Sequence, residues 1–160
     1  MPHRAHVITV SDGVSAGTRD DVSGPALLDV LKRARFQVSG PEVVPDAEDR
    51  ISDAVVAAVV DGADLVVTTG GTGLGPRDVT PQATSLLIDY EVPGLGELMR
   101  RAGESSTPME ALSRGVAGVR GQALILNVPG SVNGATESLE AVIPVLGHAI
   151  QLLHGDTKHG

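Results

Sequence analysis

Residues 68–81 read TTGGTGLGPRDVTP and join an apolar, strand-like run to a helix start, which commits this part of the chain to a strand, a glycine loop and a helix in that order. Four glycines in six residues, Gly70, Gly71, Gly73 and Gly75, exceed what a turn needs. Glycine tolerates positive φ and carries no Cβ, so backbone N–H groups in such a loop can turn onto phosphate oxygens. Arg77 adds a charged fork of donors. Thr80 and Pro81 have the form of an N-cap and a first helical residue, which would aim a positive helix end at the same anion. Asp78 is out of keeping with a simple anion site, because its carboxylate would repel bound phosphates unless a cation bridges them or it acts as a base.

The rest of the chain alternates strands and helices. HVITV at 6–10 is a first strand, apolar enough to be buried on both faces, and a loop rich in Ser, Asp and Gly follows at 11–24. A helix should open at Ser23-Gly24-Pro25, with Leu27, Leu31 and Ala34 along one stripe. The second strand lies within 36–44, and Gly40-Pro41 puts it at an edge of the sheet. Asp46 then precedes a helix with Glu48 and Asp49 in its first turn and an end at Gly62. DLVVTT at 64–69 is the third strand, and a helix over 81–89, a turn at Pro93-Gly94, a helix over 95–101 and a short helix over 108–114 come after the glycine loop. A short strand at 116–120 leads to QALILNV at 122–128, which empties into Pro129-Gly130-Ser131-Val132-Asn133-Gly134. From Ala135 to Leu153 the pattern is helical, with Pro144 marking a kink or a break, and the tail from about 155 should fray.

This order predicts an α/β fold in one domain over 1–160, with ligands at the C-terminal edge of the strands. Hydrophobic residues make up 41% of the chain, yet only Phe36 and Tyr90 are aromatic, so the core is built from Ala, Val, Leu and Ile. Small aliphatic cores suit a sheet between helices. The absence of Cys excludes disulfides, thiolate zinc sites and cysteine nucleophiles. A net charge of −8 argues against nucleic acid as a partner, though not against small phosphorylated ligands held by local N–H groups. No run is long and apolar enough for a membrane, so the expectation is a soluble, cytoplasmic protein.

The glycine loop fits neither common nucleotide signature. Pro76 stands where the third glycine of G-x-G-x-x-G should be, and there is no Gly-Lys-Ser/Thr. Asp46 and Asp78 each follow a strand end and could face the same sheet edge, which makes them the candidate metal or acid/base pair. Each has a plainer alternative: Asp46 as the N-cap of its helix, Asp78 as a partner of Arg77 or a cap of the next helix. Asp12, Asp20 and Asp21 are weaker candidates. His3, His6, His148, His154 and His159 show no ligand spacing and suit surface or terminal positions, and no G-x-S-x-G elbow occurs.

The string TTGGTG-x-x-PRDVTP resembles that of the single-domain molybdopterin adenylyltransferases of molybdenum-cofactor biosynthesis. The similarity continues through Ser11-Asp12, Val44-Pro45-Asp46, Pro93-Gly94, Leu112-Ser113-Arg114 and Leu126-Asn127-Val128-Pro129-Gly130-Ser131, nearly the whole chain. It implies a three-layer α/β/α fold with a mostly parallel mixed sheet, a homotrimer, and conversion of Mg-ATP and molybdopterin into adenylylated molybdopterin and pyrophosphate for a downstream molybdotransferase. It also implies that Asp46 and Asp78 hold Mg²⁺, that Gly71, Thr72 and Gly73 line the nucleotide phosphates, that Ser113 and Arg114 lie on the molybdopterin side, and that Pro129, Gly130 and Ser131 belong to the binding loops. Two positions depart from the family pattern. Gly103 replaces a serine common in the family, which would lose a substrate contact or move it to Ser105, and Val132-Asn133-Gly134 replaces a proline-containing loop. The rival readings are a non-catalytic molybdopterin-binding or carrier protein and, more weakly, a pyrophosphatase-like hydrolase.

Overall fold

Strands that are apolar at successive positions need cover on both faces, and the computed structural model, which describes residues 2–157, supplies it. Six strands, β1 (Arg4–Val10), β2 (Gln37–Val44), β3 (Leu65–Thr69), β4 (Tyr90–Glu91), β5 (Ala117–Arg120) and β6 (Ala123–Val128), form one sheet in the order β2-β1-β3-β6-β5-β4. The first four in that row run parallel, while β5 is antiparallel to β6 and β4 to β5. The helices are α1 (Asp12–Ser15), α2 (Ser23–Arg33), α3 (Glu48–Val60), α4 (Thr80–Leu87), α5 (Pro93–Glu104) and α6 (Val132–Leu153), with a 3-10 turn at Pro108–Leu112.

Alternate strand residues divide between two cores. Val7, Leu65, Val67, Leu124 and Leu126 pack under α2, α5 and α6, whereas Ile8, Val66 and Ile125 pack under α3 and α4. The result is the expected α/β/α sandwich. Each of these side chains is almost wholly withdrawn from water, which stabilises the fold by about 1.5–3 kcal/mol apiece before entropy is counted. As expected, β2 is an edge strand, and its pairing with β1 loses register around Gly40-Pro41.

Four elements differ from the sequence expectations. Pro144 does not break α6, because Leu139, Val142, Leu146 and Ile150 on either side of it are all fully buried and hold one helix against the sheet. Residues 90–91, left between the expected helix over 81–89 and the expected turn at Pro93-Gly94, form a strand, with Asp89 N–H donating to Val119 O (2.7 Å) and Val92 N–H to Ala117 O (2.8 Å) on either side of it, and Pro93-Gly94 opens α5. A short helix, α1, occupies part of the expected 11–24 loop, capped by Ser11, whose hydroxyl accepts from Val14 N–H. Thr80 is the first residue of α4 and not its cap; Val79 takes the cap position, and the Thr80 hydroxyl donates to Gly70 O (3.0 Å). Among the described residues no helix is long and apolar enough to cross a membrane.

Candidate functional site

Four parallel strands deliver four loops to one edge of the sheet: Ser11-Asp12 after β1, Pro45-Asp46 after β2, residues 70–78 after β3 and Pro129-Gly130-Ser131 after β6. β1 and β3 are neighbours whose following helices pack on opposite faces, the kind of switch point where open α/β sheets bind ligands. A cleft of about 420 Å³ lies there, bordered by Asp46, Asp78, Gly70, Gly71, Gly130 and Ser131. Ser23 and Val132, the first residues of α2 and α6, also reach it, so two helix N-termini meet at its wall.

Two of the four loop glycines need positive φ, not all four. Gly70 (φ 104°) and Gly71 (φ 69°) adopt it, and a Cβ at Gly70 would strike the Val10 carbonyl oxygen. Gly73 and Gly75 stay out of the left-handed region; what they provide is room, since a Cβ on either would come within 3.0 Å or 2.9 Å of Asp78 Oδ2. The loop's own bonds narrow the anion cradle further. Gly70 N–H donates to Val128 O (3.1 Å) and Gly75 N–H to Asp78 Oδ2 (3.0 Å). No backbone carbonyl of the described residues accepts from Gly71, Thr72 or Gly73, so three consecutive N–H groups are left for a ligand.

On the cleft side of this loop the acids gather. Asp46 Oδ2 accepts from Asp12 N–H (2.9 Å), and Asp12 Oδ1 accepts from Asp46 N–H (3.0 Å). Arg77 then forks onto Asp12, Nε to Oδ2 at 2.9 Å and Nη2 to Oδ1 at 3.1 Å. The plainer roles for the acid pair are therefore unfilled: Ala47, not Asp46, is the N-cap of α3, and Asp78 neither caps α4 nor pairs with Arg77. Burial pushes the Asp46 carboxyl above its ordinary range; the Asp12 N–H opposes this, and the charges of Asp12 and Asp78 add to it. Asp12 is held below the carboxylate range, chiefly by the Arg77 hydrogen bonds.

Asp12, a weaker candidate from sequence, is bonded into this cluster. Its signal is position: it follows the end of β1 closely, as Asp46 does the end of β2. Two hard carboxylates, Asp46 and Asp78, at the mouth of a phosphate-sized loop fit Mg²⁺, which takes one or two protein carboxylates and completes its shell with water and substrate phosphates. Among the described residues no group of three or more His, Asp or Glu side chains could hold a metal ion.

The reverse side of the loop belongs to Arg114. Its Nε donates to Gly73 O (2.9 Å), Nη2 to Asp78 O (2.8 Å), Nη1 to Gln82 Oε1 (3.3 Å) and its backbone N–H to Thr72 O (2.8 Å). Ser113 Oγ lies 3.4 Å from Thr72 Oγ1. Ser113 and Arg114 border a separate cleft of about 320 Å³ with Arg100 and Glu91, and do not enter the one that holds Asp46 and Asp78. Gly103 has a local reason to be glycine, because a Cβ there would collide with the side chain of buried Glu110; Ser105 spends its hydroxyl on Ala102 O (3.0 Å).

The histidines lie elsewhere. His6 bonds Ser39 (2.7 Å) and Glu42 (3.0 Å) and so ties β1 to the edge strand, His154 pairs with Asp64 (2.9 Å) at the opposite end of the sheet, and His148 is exposed. His159 and the end of the tail lie outside the described residues.

The family model described as a probable molybdopterin binding domain matches residues 6–148. The crystal structure of the molybdopterin biosynthesis enzyme MoaB from Thermus thermophilus is 54% identical and superposes with a TM-score of 0.90 over 96% of this chain and 97% of its own. The molybdopterin adenylyltransferase of Escherichia coli is 40% identical over 157 residues, 95% of this chain and 78% of the relative. The molybdenum cofactor biosynthesis bifunctional protein of Synechococcus elongatus is 39% identical over 156 residues, and the chain spans about half (49%) of that relative's length.

Proposed function

The chain belongs to the molybdopterin-binding-domain family, and from that premise we propose that it transfers AMP from Mg-ATP to the terminal phosphate of molybdopterin, releasing pyrophosphate. One observation carries the reading beyond kinship: Asp46 and Asp78 border the same switch-point cleft, beside three backbone N–H groups with no carbonyl partner among the described residues. A protein that only carried the pterin would have no use for two carboxylates at a phosphate site. The molybdopterin phosphate attacks the α-phosphorus of ATP, forming the new P–O bond as the bond to pyrophosphate breaks. Gly71, Thr72 and Gly73 donate N–H groups to the phosphate oxygens, and the N-termini of α2 and α6 add positive potential at the same wall. Asp46 and Asp78 would hold Mg²⁺, which supplies charge neutralisation between the two anionic reactants. A phosphate nucleophile is already ionised near neutral pH, so no strong general base is required of this chain.

The experiment is pyrophosphate release from Mg-ATP with and without molybdopterin. Release that depends on both supports the transferase; binding of molybdopterin with no release identifies a carrier, and release without the pterin a hydrolase. The proposal extends to a cytoplasmic single-domain protein assembled as a homotrimer, for which light scattering at micromolar concentration is the check. A monomer there overturns the trimer. Handover of the product to a molybdotransferase is supported by relatives named bifunctional that are about twice this length.

A further inference from the structure

Asp12 has more bonding than its place in α1 requires. The cap of that helix is Ser11, whose hydroxyl accepts from Val14 N–H (3.2 Å), so neither Asp12 oxygen is needed there. Both instead face the neighbouring loops. One oxygen accepts from Asp46 N–H while Asp12's own N–H holds Asp46 Oδ2, and Arg77, next in sequence to Asp78, forks onto both oxygens. Asp12 thus joins the loops after β1, β2 and β3. A third carboxylate beside two that hold a cation would worsen their repulsion if it were bare. The Arg77 guanidinium offsets it, leaving Asp12 as a rigid acceptor and not as a further metal ligand.

We propose that Asp12 is the positioning residue of the acid pair: it fixes the Asp46 carboxylate directly and, through Arg77, the segment that carries Asp78. The inference rests on the adenylyl-transfer reading. Side-chain exposures of 44% for Asp12 and 67% for Arg77 set it apart from a fold-stabilising role, since an ion pair so wet adds little to stability. A misplacement of a ligand-holding group by about an ångström, in contrast, can cost roughly a hundredfold in rate.

The test compares Asp12→Ala, Asp12→Asn, Asp46→Asn and the double variant Asp12→Ala/Asp46→Asn by kcat at saturating Mg-ATP and molybdopterin, by Tm, and by crystal structures of the wild type and Asp12→Ala. The expectation is a kcat lowered roughly 10- to 100-fold in Asp12→Ala with Tm near the wild type's, and partial recovery in Asp12→Asn, which keeps an acceptor for Asp46 N–H. The double variant should lose less than the product of the two single losses, because the part of Asp12's effect that runs through Asp46 is already gone and only the part that runs through Arg77 remains. In the crystal, the Asp46 carboxylate of Asp12→Ala should leave its wild-type position. Losses that multiply in the double variant, or an Asp46 that stays in place, overturn the proposal. A wild type that releases no pyrophosphate overturns the adenylyl-transfer reading instead, and the position of Asp46 in the two crystals then decides the role of Asp12 alone.

Discussion

The loop at 70–78 has two sides that use the same residue types in opposite ways. On the cleft side Asp12, Asp46 and Asp78 stand close enough for burial and mutual charge to push the Asp46 carboxyl up, and Arg77, bonded to Asp12, offsets only part of that push at Asp46. On the reverse side Arg114 spends three guanidinium nitrogens on Gly73 O, Asp78 O and Gln82 Oε1. One side keeps electrostatic tension and the other removes it. A loop with the proposed task of holding a cation and phosphates would need both, because a repulsive cluster stays assembled only if something outside it fixes the backbone. The two arginines are thus a counter-charge in one case and a clamp in the other.

The largest effect that tests this contrast is on turnover. Asp78→Asn and Asp46→Asn keep shape and remove charge, so pyrophosphate release should fall roughly 10²- to 10⁴-fold while the proteins stay folded. Asp46→Asn should not lower Tm at neutral pH, since burial makes its charge a cost to the folded state. A variant that is unstable but normally active per folded molecule would make Asp46 a structural residue and dissolve the difference between the sides.

Arg114→Ala is next. Three hydrogen bonds from a charged donor group disappear and two loop carbonyls lose their partner, so stability should drop by about 2–3 kcal/mol, roughly 5–10 °C in Tm for a chain of this size. Affinities for ATP and molybdopterin should fall together, as the clamp serves the whole loop. Calorimetric titration with each ligand checks this: a selective loss of molybdopterin binding at unchanged Tm would return Arg114 to a ligand-contacting role. Arg77→Ala should leave Tm near that of the wild type, because its side chain is 67% exposed.

The two sides were not equally legible in sequence. The glycine run, the strand before it and the two aspartates at strand ends are local patterns, so the α/β/α order and the pairing of Asp46 with Asp78 at one sheet edge could be read directly. The cross-bonding of Asp12 to Asp46 spans 34 residues, and that of Arg114 to Gly73 spans 41. No local pattern encodes contacts at that separation. The Arg77 contact was hidden for the same reason, since a fork of donors beside a glycine loop suits phosphate as well as it suits the Asp12 carboxylate 65 residues away. Pro144 failed as a helix breaker because four fully buried residues of α6 outweigh the bond it removes.

The smallest effect concerns Glu110, a buried acid on the clamped side. It is 8% exposed, and burial, helped by the charge of Glu137, pushes its carboxyl above the ordinary glutamate range. The native state therefore keeps this proton to higher pH than the unfolded chain does. The Glu110 side chain consequently favours folding most below the ordinary glutamate range, and that contribution is lost as pH rises through the raised value. Glu110→Gln should raise Tm at pH 8, by roughly 2–4 °C if the relief is near 1 kcal/mol, and the gain should shrink to nothing near pH 4. Glu137→Gln should give a smaller gain with the same sign. Thermal scans of the three proteins across pH 4–8 decide the matter. A Glu110→Gln variant that is less stable than the wild type at pH 8 would mean that the N-terminus of α6 already stabilises the ionised form, since Glu110 Oε1 lies only 2.8 Å from where a Cβ on Gly134 in its first turn would stand. The clamped side would then carry no electrostatic tension at all, and the contrast across the loop would be complete.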